Sequence, residues 1–261
     1  MTDGSQKIIE EIQNKLKEIE EKEQINIIYA VESGSRSWGF ASPDSDYDVR
    51  FIYVRKISDY LSLDQNRDII EWQLDEVFDI NGWDIRKALY QFHKSNASVF
   101  EWSNSPIIYR KKQEWDMVAQ AASQYFSVKS ALYHYYGIAK STYCQFLLEE
   151  QVSYKKYFYA LRPLFSCRYI ENYHCPPPVF FNDLIKTDMD MPDELREAIE
   201  ELLEKKKQTK EKEKNPQIPI IRDFIVHELE RQKQKTEQMN DDRNPDWNRL
   251  NQVFFQLIGL S

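Results

Sequence analysis

Glu32-Ser33-Gly34-Ser35-Arg36-Ser37-Trp38-Gly39-Phe40-Ala41-Ser42-Pro43-Asp44-Ser45-Asp46-Tyr47-Asp48-Val49-Arg50 is the stretch on which the reading of this chain turns. The run before it, Ile27-Ile28-Tyr29-Ala30-Val31, is short, apolar and partly β-branched, which suits a buried strand ending near Ser33-Gly34. A Gly-Ser at a strand end, followed by a helical turn, can aim backbone N–H groups and the Ser35 hydroxyl at phosphate oxygens, and Gly34 gives close access. Eleven residues beyond Ser35, Asp46 and then Asp48 open a second apolar run, Tyr47 to Val54. The period of two in a strand puts both carboxylates on one face. Two like charges held that close are costly unless a cation neutralises them.

Mg2+ suits that requirement. It takes hard oxygen ligands, keeps part of its water and shares phosphate oxygens with a substrate, so an Asp-x-Asp pair beside a phosphate cradle is chemically coherent. A third carboxylate would hold two ions about 3.5–4 Å apart, serving the attacking and leaving oxygens together. Two residues compete for that place, because Phe78-Asp79-Ile80 and Trp83-Asp84-Ile85 each set an Asp between apolar neighbours. On one straight strand their odd interval puts them on opposite faces, so both cannot serve without a bend at Asn81-Gly82. Arg36 and Arg50 read either as surface charges or as groups that contact phosphate and brace the carboxylates.

Outward from this stretch, Gln6 to Lys22 carries Ile8, Ile9, Ile12, Leu16 and Ile19 at the spacing of an amphipathic helix. A third strand is expected from about Glu71 to Ile80, and Trp83 to His93 reads as a strand end passing into a helix. Helical patterns follow at about residues 113–150, 154–172, 193–207, 220–238 and 247–257, with Gly137 and Pro163 as interruptions and Pro176-Pro177-Pro178 as a break. The simplest division is an α/β half, 1–112, and a helical half, 113–261. Lys205 to Lys214 mixes Lys with Glu and reads as a solvated helix end or linker. There is no internal repeat.

Composition narrows the class. Of 261 residues 41% are hydrophobic and 30% charged, as in a soluble globular protein. No apolar run approaches the roughly 20 residues that span a bilayer, and the N-terminus is polar, so a cytoplasmic protein without membrane association is expected. Cys144, Cys167 and Cys175 lack C-x-x-C spacing and the four histidines are scattered, which indicates neither a disulfide framework nor a zinc site. The net charge of −8 argues against a protein that coats nucleic acid non-specifically, while leaving room for a local basic groove.

At Gly34-Ser35 and Asp46-Tyr47-Asp48 the chain resembles the DNA polymerase beta-type nucleotidyltransferase superfamily, whose pattern is Gly-Ser, a short helix, then Asp-x-Asp in a strand. The longer wording from Gly34 to Arg50, with Gly82-Trp83-Asp84-Ile85-Arg86-Lys87 and Glu101-Trp102 downstream, is similar to one branch, the predicted nucleotidyltransferases associated with RNA repair. Lys155-Lys156-Tyr157 and Leu161-Arg162-Pro163 extend the likeness over most of the chain. The resemblance implies an α/β (α+β) nucleotidyltransferase fold, with a small mixed sheet and a helical C-terminal domain closing the nucleotide cleft. It favours Asp84 over Asp79 beside Asp46 and Asp48 as catalytic and metal-binding carboxylates. It implies Mg2+, two ions with Mn2+ as a substitute, and an NTP such as ATP as substrate, with an RNA end as acceptor.

Lys140 and Lys156 lie in Tyr-rich helical patterns, and with the resemblance they join Gly34, Ser35, Arg36 and Arg50 as nucleotide-binding candidates. Trp38, Trp83 and Trp102 read as core, with base stacking as the alternative. The reaction expected is transfer of a nucleoside monophosphate to a hydroxyl, releasing pyrophosphate. Transfer to a protein or small molecule, or NTP sensing without turnover, are the alternatives.

Overall fold

In a computed structural model, residues 3–42, 45–75, 77–208 and 213–260 are described. Pro43, Asp44 and part of the Lys205–Lys214 run lie outside them. Strands β1 (Asn26–Ser33), β2 (Tyr47–Val54), β3 (Ile69–Leu74), β4 (Phe78–Asp84) and β5 (Ile108–Lys111) form one mixed sheet in the order β3-β4-β2-β1-β5. β2 and β4 are parallel, and the other pairs are antiparallel. Helices α1 (Asp3–Glu23) and α2 (Gly34–Trp38) flank β1, and α3 (Ile57–Leu61) follows β2. After β4 come α4 (Ile85–His93), α5 (Ala97–Ser103) and α6 (Glu114–Ala122). The later helices are α7 (Val128–Phe146), α8 (Tyr154–Tyr173), α9 (Phe181–Lys186), α10 (Asp193–Gln208), α11 (Pro219–Gln238) and α12 (Asn248–Ile258). The short strands β6 (Gln151–Ser153) and β7 (Lys214–Pro216) pair with each other.

Alternation along β2 assigns its two faces. Val49, Phe51 and Tyr53 join Ile12, Leu16 and Ile19 of α1 in one buried cluster, while Ile52 and Val54 join α4, α5, α6 and α12 in another. By the same parity Asp48 and Arg50 lie on the face of Ile52 and Val54. The amphipathic helix expected at the N-terminus is therefore α1, with its Ile12, Leu16 and Ile19 stripe fully buried.

Two expected elements resolve differently. The single strand at 71–80 is a hairpin of β3 and β4, because the Asp75 carboxylate accepts the Val77 and Phe78 N–H groups, each at 2.8 Å, and closes a turn. The long helix at 113–150 breaks at residues 123–127, where Ser127 caps α7 by accepting the Ser130 N–H at 3.0 Å; Gly137 runs on inside α7 without interrupting it.

By its internal contacts the chain forms two compact units, Met1–Ser37 with Asp46–Phe126 and Asn244–Ser261, and Trp38–Ser45 with Ser127–Arg243. This differs from the boundary expected at residue 112. α6 and α12 belong with the sheet because Trp115, Val118, Leu250 and Val253 are buried in its core, where Trp115 stacks on Tyr29 at 4.1 Å between ring centroids. The second unit is helical. Its core gathers Tyr157, Phe158, Leu161, Leu164 and Phe165 of α8 with Phe181, Ile199, Leu202, Ile221 and Ile225.

Phe40, from the β1–β2 connection, is part of that second core, stacked on Phe158 at 4.8 Å. Gly39 makes the fit possible: it adopts φ +86°, and a Cβ there would stand 2.1 Å from the Phe180 ring. Among the described residues no helix is long and apolar enough to cross a membrane.

Candidate active site

The site begins where β1 leaves the sheet. Its last rung pairs Ser33 with Asp48, and the next residue, Gly34, has φ +67°, which L side chains rarely adopt. A Cβ on Gly34 would lie 2.2 Å from Asp48 Oδ2. The bare α-carbon thus lets the turn press directly against the carboxylate, which explains glycine here better than turn propensity alone. Ser37 Oγ donates back to the Gly34 carbonyl at 2.8 Å and closes the turn of α2.

Across the sheet, Asp48 in β2 is the register partner of Asp79 in the parallel strand β4. One Arg50 nitrogen, Nη2, donates to Asp48 Oδ1 at 3.1 Å and to Asp79 Oδ2 at 2.6 Å, so the two carboxylates share a face and a cation. Arg50 Nη1 also reaches the Asp79 carbonyl at 2.7 Å, and Asn81 donates to Asp79 Oδ1 at 3.2 Å. Asp46 precedes the strand and is exposed.

Asp84, the third carboxylate favoured by the resemblance, does not join them. Its register partner is Tyr53, five rungs beyond the Asp48–Asp79 rung and about 16 Å further along the strand. There it caps α4, accepting the Arg86 N–H at 2.8 Å and the Tyr60 hydroxyl at 2.9 Å. Burial raises its pKa against the lowering pull of those two donors and of the Arg55 and Arg86 charges. Asp79, the other Asp set between apolar neighbours, is the one beside Asp48.

A further carboxyl stands behind the site. Glu32 is fully buried, accepts the Asp48 backbone N–H at 2.9 Å on one oxygen and takes the Tyr109 hydroxyl on the other. Burial pushes its pKa up to about 7, with the Asp48 charge adding to the rise and the two donors opposing it. Sequence reasoning passed over Glu32; its only signal is an acid ending a run of apolar strand residues.

A model of the RNA repair pathway DNA polymerase beta family, RlaP, matches residues 8–256, which spans the sheet, this site and the helical unit alike. The chain belongs to the RlaP family. It is 38% identical to the uncharacterized protein YcgL of Bacillus subtilis (strain 168) over 254 residues, 97% of this chain and 96% of that protein. A crystal structure of a nucleotidyltransferase-like protein from Exiguobacterium sibiricum 255-15 aligns with 95% of this chain and 89% of that one, at 13% identity and a TM-score of 0.33. That score is too low to bear on the site.

In this RlaP chain both arginine candidates act as braces. Arg36 Nε donates to the Asp46 carbonyl at 2.9 Å while its guanidinium lies 3.7 Å from the Tyr47 ring centroid, fixing the approach to β2. Arg50 holds the carboxylate pair. Ser35 is buried within the α2 turn. Lys140 and Lys156 belong to the second unit, where Lys140 lies over Tyr136 at 5.7 Å and Lys156 over Phe146 at 3.7 Å. Trp102 is core, with Trp83 against it at 4.2 Å, and in the second unit Trp38 lies under the Arg162 guanidinium at 4.6 Å.

Proposed function

We propose that this chain is a divalent-metal-dependent nucleotidyltransferase, which moves a nucleoside monophosphate from an NTP to a hydroxyl acceptor and releases pyrophosphate. The observation that carries the reading is the contact of Gly34 with Asp48 beside Asp79: a backbone opened by a glycine at positive φ, set against one of two neighbouring carboxylates. The family description, an RNA repair pathway branch of the DNA polymerase beta group, favours an RNA end as acceptor.

The donor set suits Mg2+. Asp48 and Asp79 offer only hard carboxylate oxygens, and Mg2+ is commonly held by one or two carboxylates together with water and substrate phosphates rather than by a closed protein cage. Asp48 and Asp79 would hold the ion, with Asp46 close by in sequence as the third oxygen donor. When bound, the metal supplies a lowered pKa at the acceptor hydroxyl and charge stabilisation on the leaving pyrophosphate.

The remaining work falls to the protein. Gly34 lets the turn close directly onto the Asp48 carboxylate, whose neighbouring backbone N–H groups would meet a phosphate, and Arg50 keeps the two carboxylates aligned before substrate enters. No side-chain nucleophile is needed.

Incubating the protein with Mg2+ and each of the four NTPs, labelled at the α-phosphate, plus RNA oligonucleotides, a protein mixture or small hydroxyl compounds tests the proposal. The expected result is label on RNA with matching pyrophosphate release. Label on protein or small molecules alone would move the acceptor elsewhere, and nucleotide binding without any release would make the chain a sensor.

A further inference from the structure

Asp48 sits on the last rung of the β1–β2 ladder, and its N–H is taken by a side chain. One residue beyond its partner Ser33, the chain must leave the sheet at Gly34 to form the turn that meets Asp48 Oδ2. A strand that departs at this point withdraws the main-chain acceptors its neighbour would otherwise use, leaving a buried donor unsatisfied. The Glu32 carboxylate fills that place at 2.9 Å.

Glu32 is in turn held on every side. Its main chain is fixed by the segment leading into β5, where its N–H donates to the Ile107 carbonyl at 3.0 Å and its carbonyl accepts the Ser105 hydroxyl at 2.6 Å. Its second carboxylate oxygen takes the Tyr109 hydroxyl. A fully buried acid is an expensive way to terminate a ladder, and the two hydrogen bonds its carboxylate accepts come from the Asp48 N–H and the Tyr109 hydroxyl.

We infer that Glu32 is a positioning residue for the transfer site: its carboxylate replaces the strand's main-chain acceptor, letting β1 peel away at Gly34 while Asp48 stays in place. Tyr109 locks the rotamer that does this. The inference rests on the reading of Gly34, Asp48 and Asp79 as the transfer site, and adds that Glu32 acts by accepting a hydrogen bond rather than by carrying charge to metal or substrate.

Three variants of the full-length chain test it: Glu32→Gln, which keeps a carbonyl acceptor, Glu32→Leu, which has none, and Tyr109→Phe. Single-turnover NTP transfer, NTP affinity by calorimetry across a Mg2+ and Mn2+ series, and exchange of the Asp48 amide proton are measured for each. The glutamine variant should keep transfer within about fivefold of wild type and a protected Asp48 amide. The leucine variant should lose about 100-fold or more in the chemical step with NTP affinity within about threefold, because a displaced carboxylate harms the transition state more than binding.

A well-folded glutamine variant as inactive as the leucine one would overturn the inference, since the charge itself would then be required. Wild-type transfer by the leucine variant would overturn it too. Should the leucine variant fail to fold, Tyr109→Phe decides: the expected result is a three- to tenfold slower chemical step and faster Asp48 amide exchange, and no change in either counts against the inference. Absence of any transfer or NTP binding by wild-type protein would instead sink the underlying functional reading, while the amide exchange would still report whether Glu32 holds Asp48.

Discussion

Asp48 and Asp79 are register partners on adjacent parallel strands, with one nitrogen of Arg50 bound to both. Asp79→Asn and Asp48→Asn should each reduce transfer by about 10³-fold or more, because a carboxamide is a poor ligand for Mg2+. Asp84→Asn should leave transfer within about tenfold and lower stability instead, since Asp84 holds a helix end. Single-turnover assays and melting curves on the three variants decide it. A dead, normally folded Asp84 variant beside an active Asp79 variant would reverse the assignment.

Removing the shared cation should expose the repulsion it quenches. Arg50→Ala leaves two mostly covered carboxylates side by side, their side chains 22% and 25% exposed, and should cost about 1–3 kcal/mol in metal-free buffer. Added Mg2+ should restore part of that loss. The check is thermal melting with and without Mg2+; a variant whose melting Mg2+ leaves unchanged would mean that the pair does not bind the ion.

Gly34 offers a steric test. Gly34→Ala adds a methyl group 2.2 Å from Asp48 Oδ2 at φ +67°, so the turn or the carboxylate must move. Transfer should fall by at least about 100-fold, with about 1–2 kcal/mol of destabilisation from the backbone angle. Wild-type turnover in this variant would separate the turn from the chemistry.

Asp84 should leave a signature in pH. Its folded pKa is raised, chiefly by burial, so the fold favours the neutral carboxyl. The stability this confers is complete below the ordinary aspartate value of about 3.9 and is lost as pH rises through the higher folded value. Asp84→Asn cannot ionise, so its deficit relative to wild type should shrink as pH rises from about 4 to 7. Urea midpoints measured over that range test the sign, and parallel curves for the two proteins would contradict it.

Phe40 links the β1–β2 connection to the helical core. Phe40→Ala removes a ring that is 3% exposed and packed on Phe158 and Phe181, and should cost about 3–5 kcal/mol, unusual for a residue in a connection between strands. Chemical denaturation gives the number, and a loss below about 1 kcal/mol would show that this packing is not maintained in solution.

The bounds of β2 were legible because Val49, Phe51 and Tyr53 alternate with Asp48, Arg50 and Ile52, and α1 because its isoleucines and Leu16 keep a helical period. The choice between Asp79 and Asp84 was not: each sits between apolar neighbours, and only the parallel register with β2 reveals which one meets Asp48. β5 went unread because four residues with two charges carry no period, and it is recognised only by pairing with β1. The hairpin turn at Asp75 depends on one side chain accepting two N–H groups, which a strand-like pattern running through it conceals. Glu32 was in plain view, but its meaning depends on where β1 stops pairing.

The membership of Trp38–Ser45 in the helical unit has a consequence for ancestry and engineering alike. The chain passes between units at Ser37/Trp38, Ser45/Asp46, Phe126/Ser127 and Arg243/Asn244, so no single cut yields either unit whole. A fragment ending at residue 112 would keep Gly34 and Asp48 yet leave Phe40 without Phe158 and Phe181, and the loop joining the two would lose its anchor. The units cannot be shuffled like beads on a string: a functional transplant must carry the helical core along with the sheet, and the two should be inherited, lost and expressed as one piece.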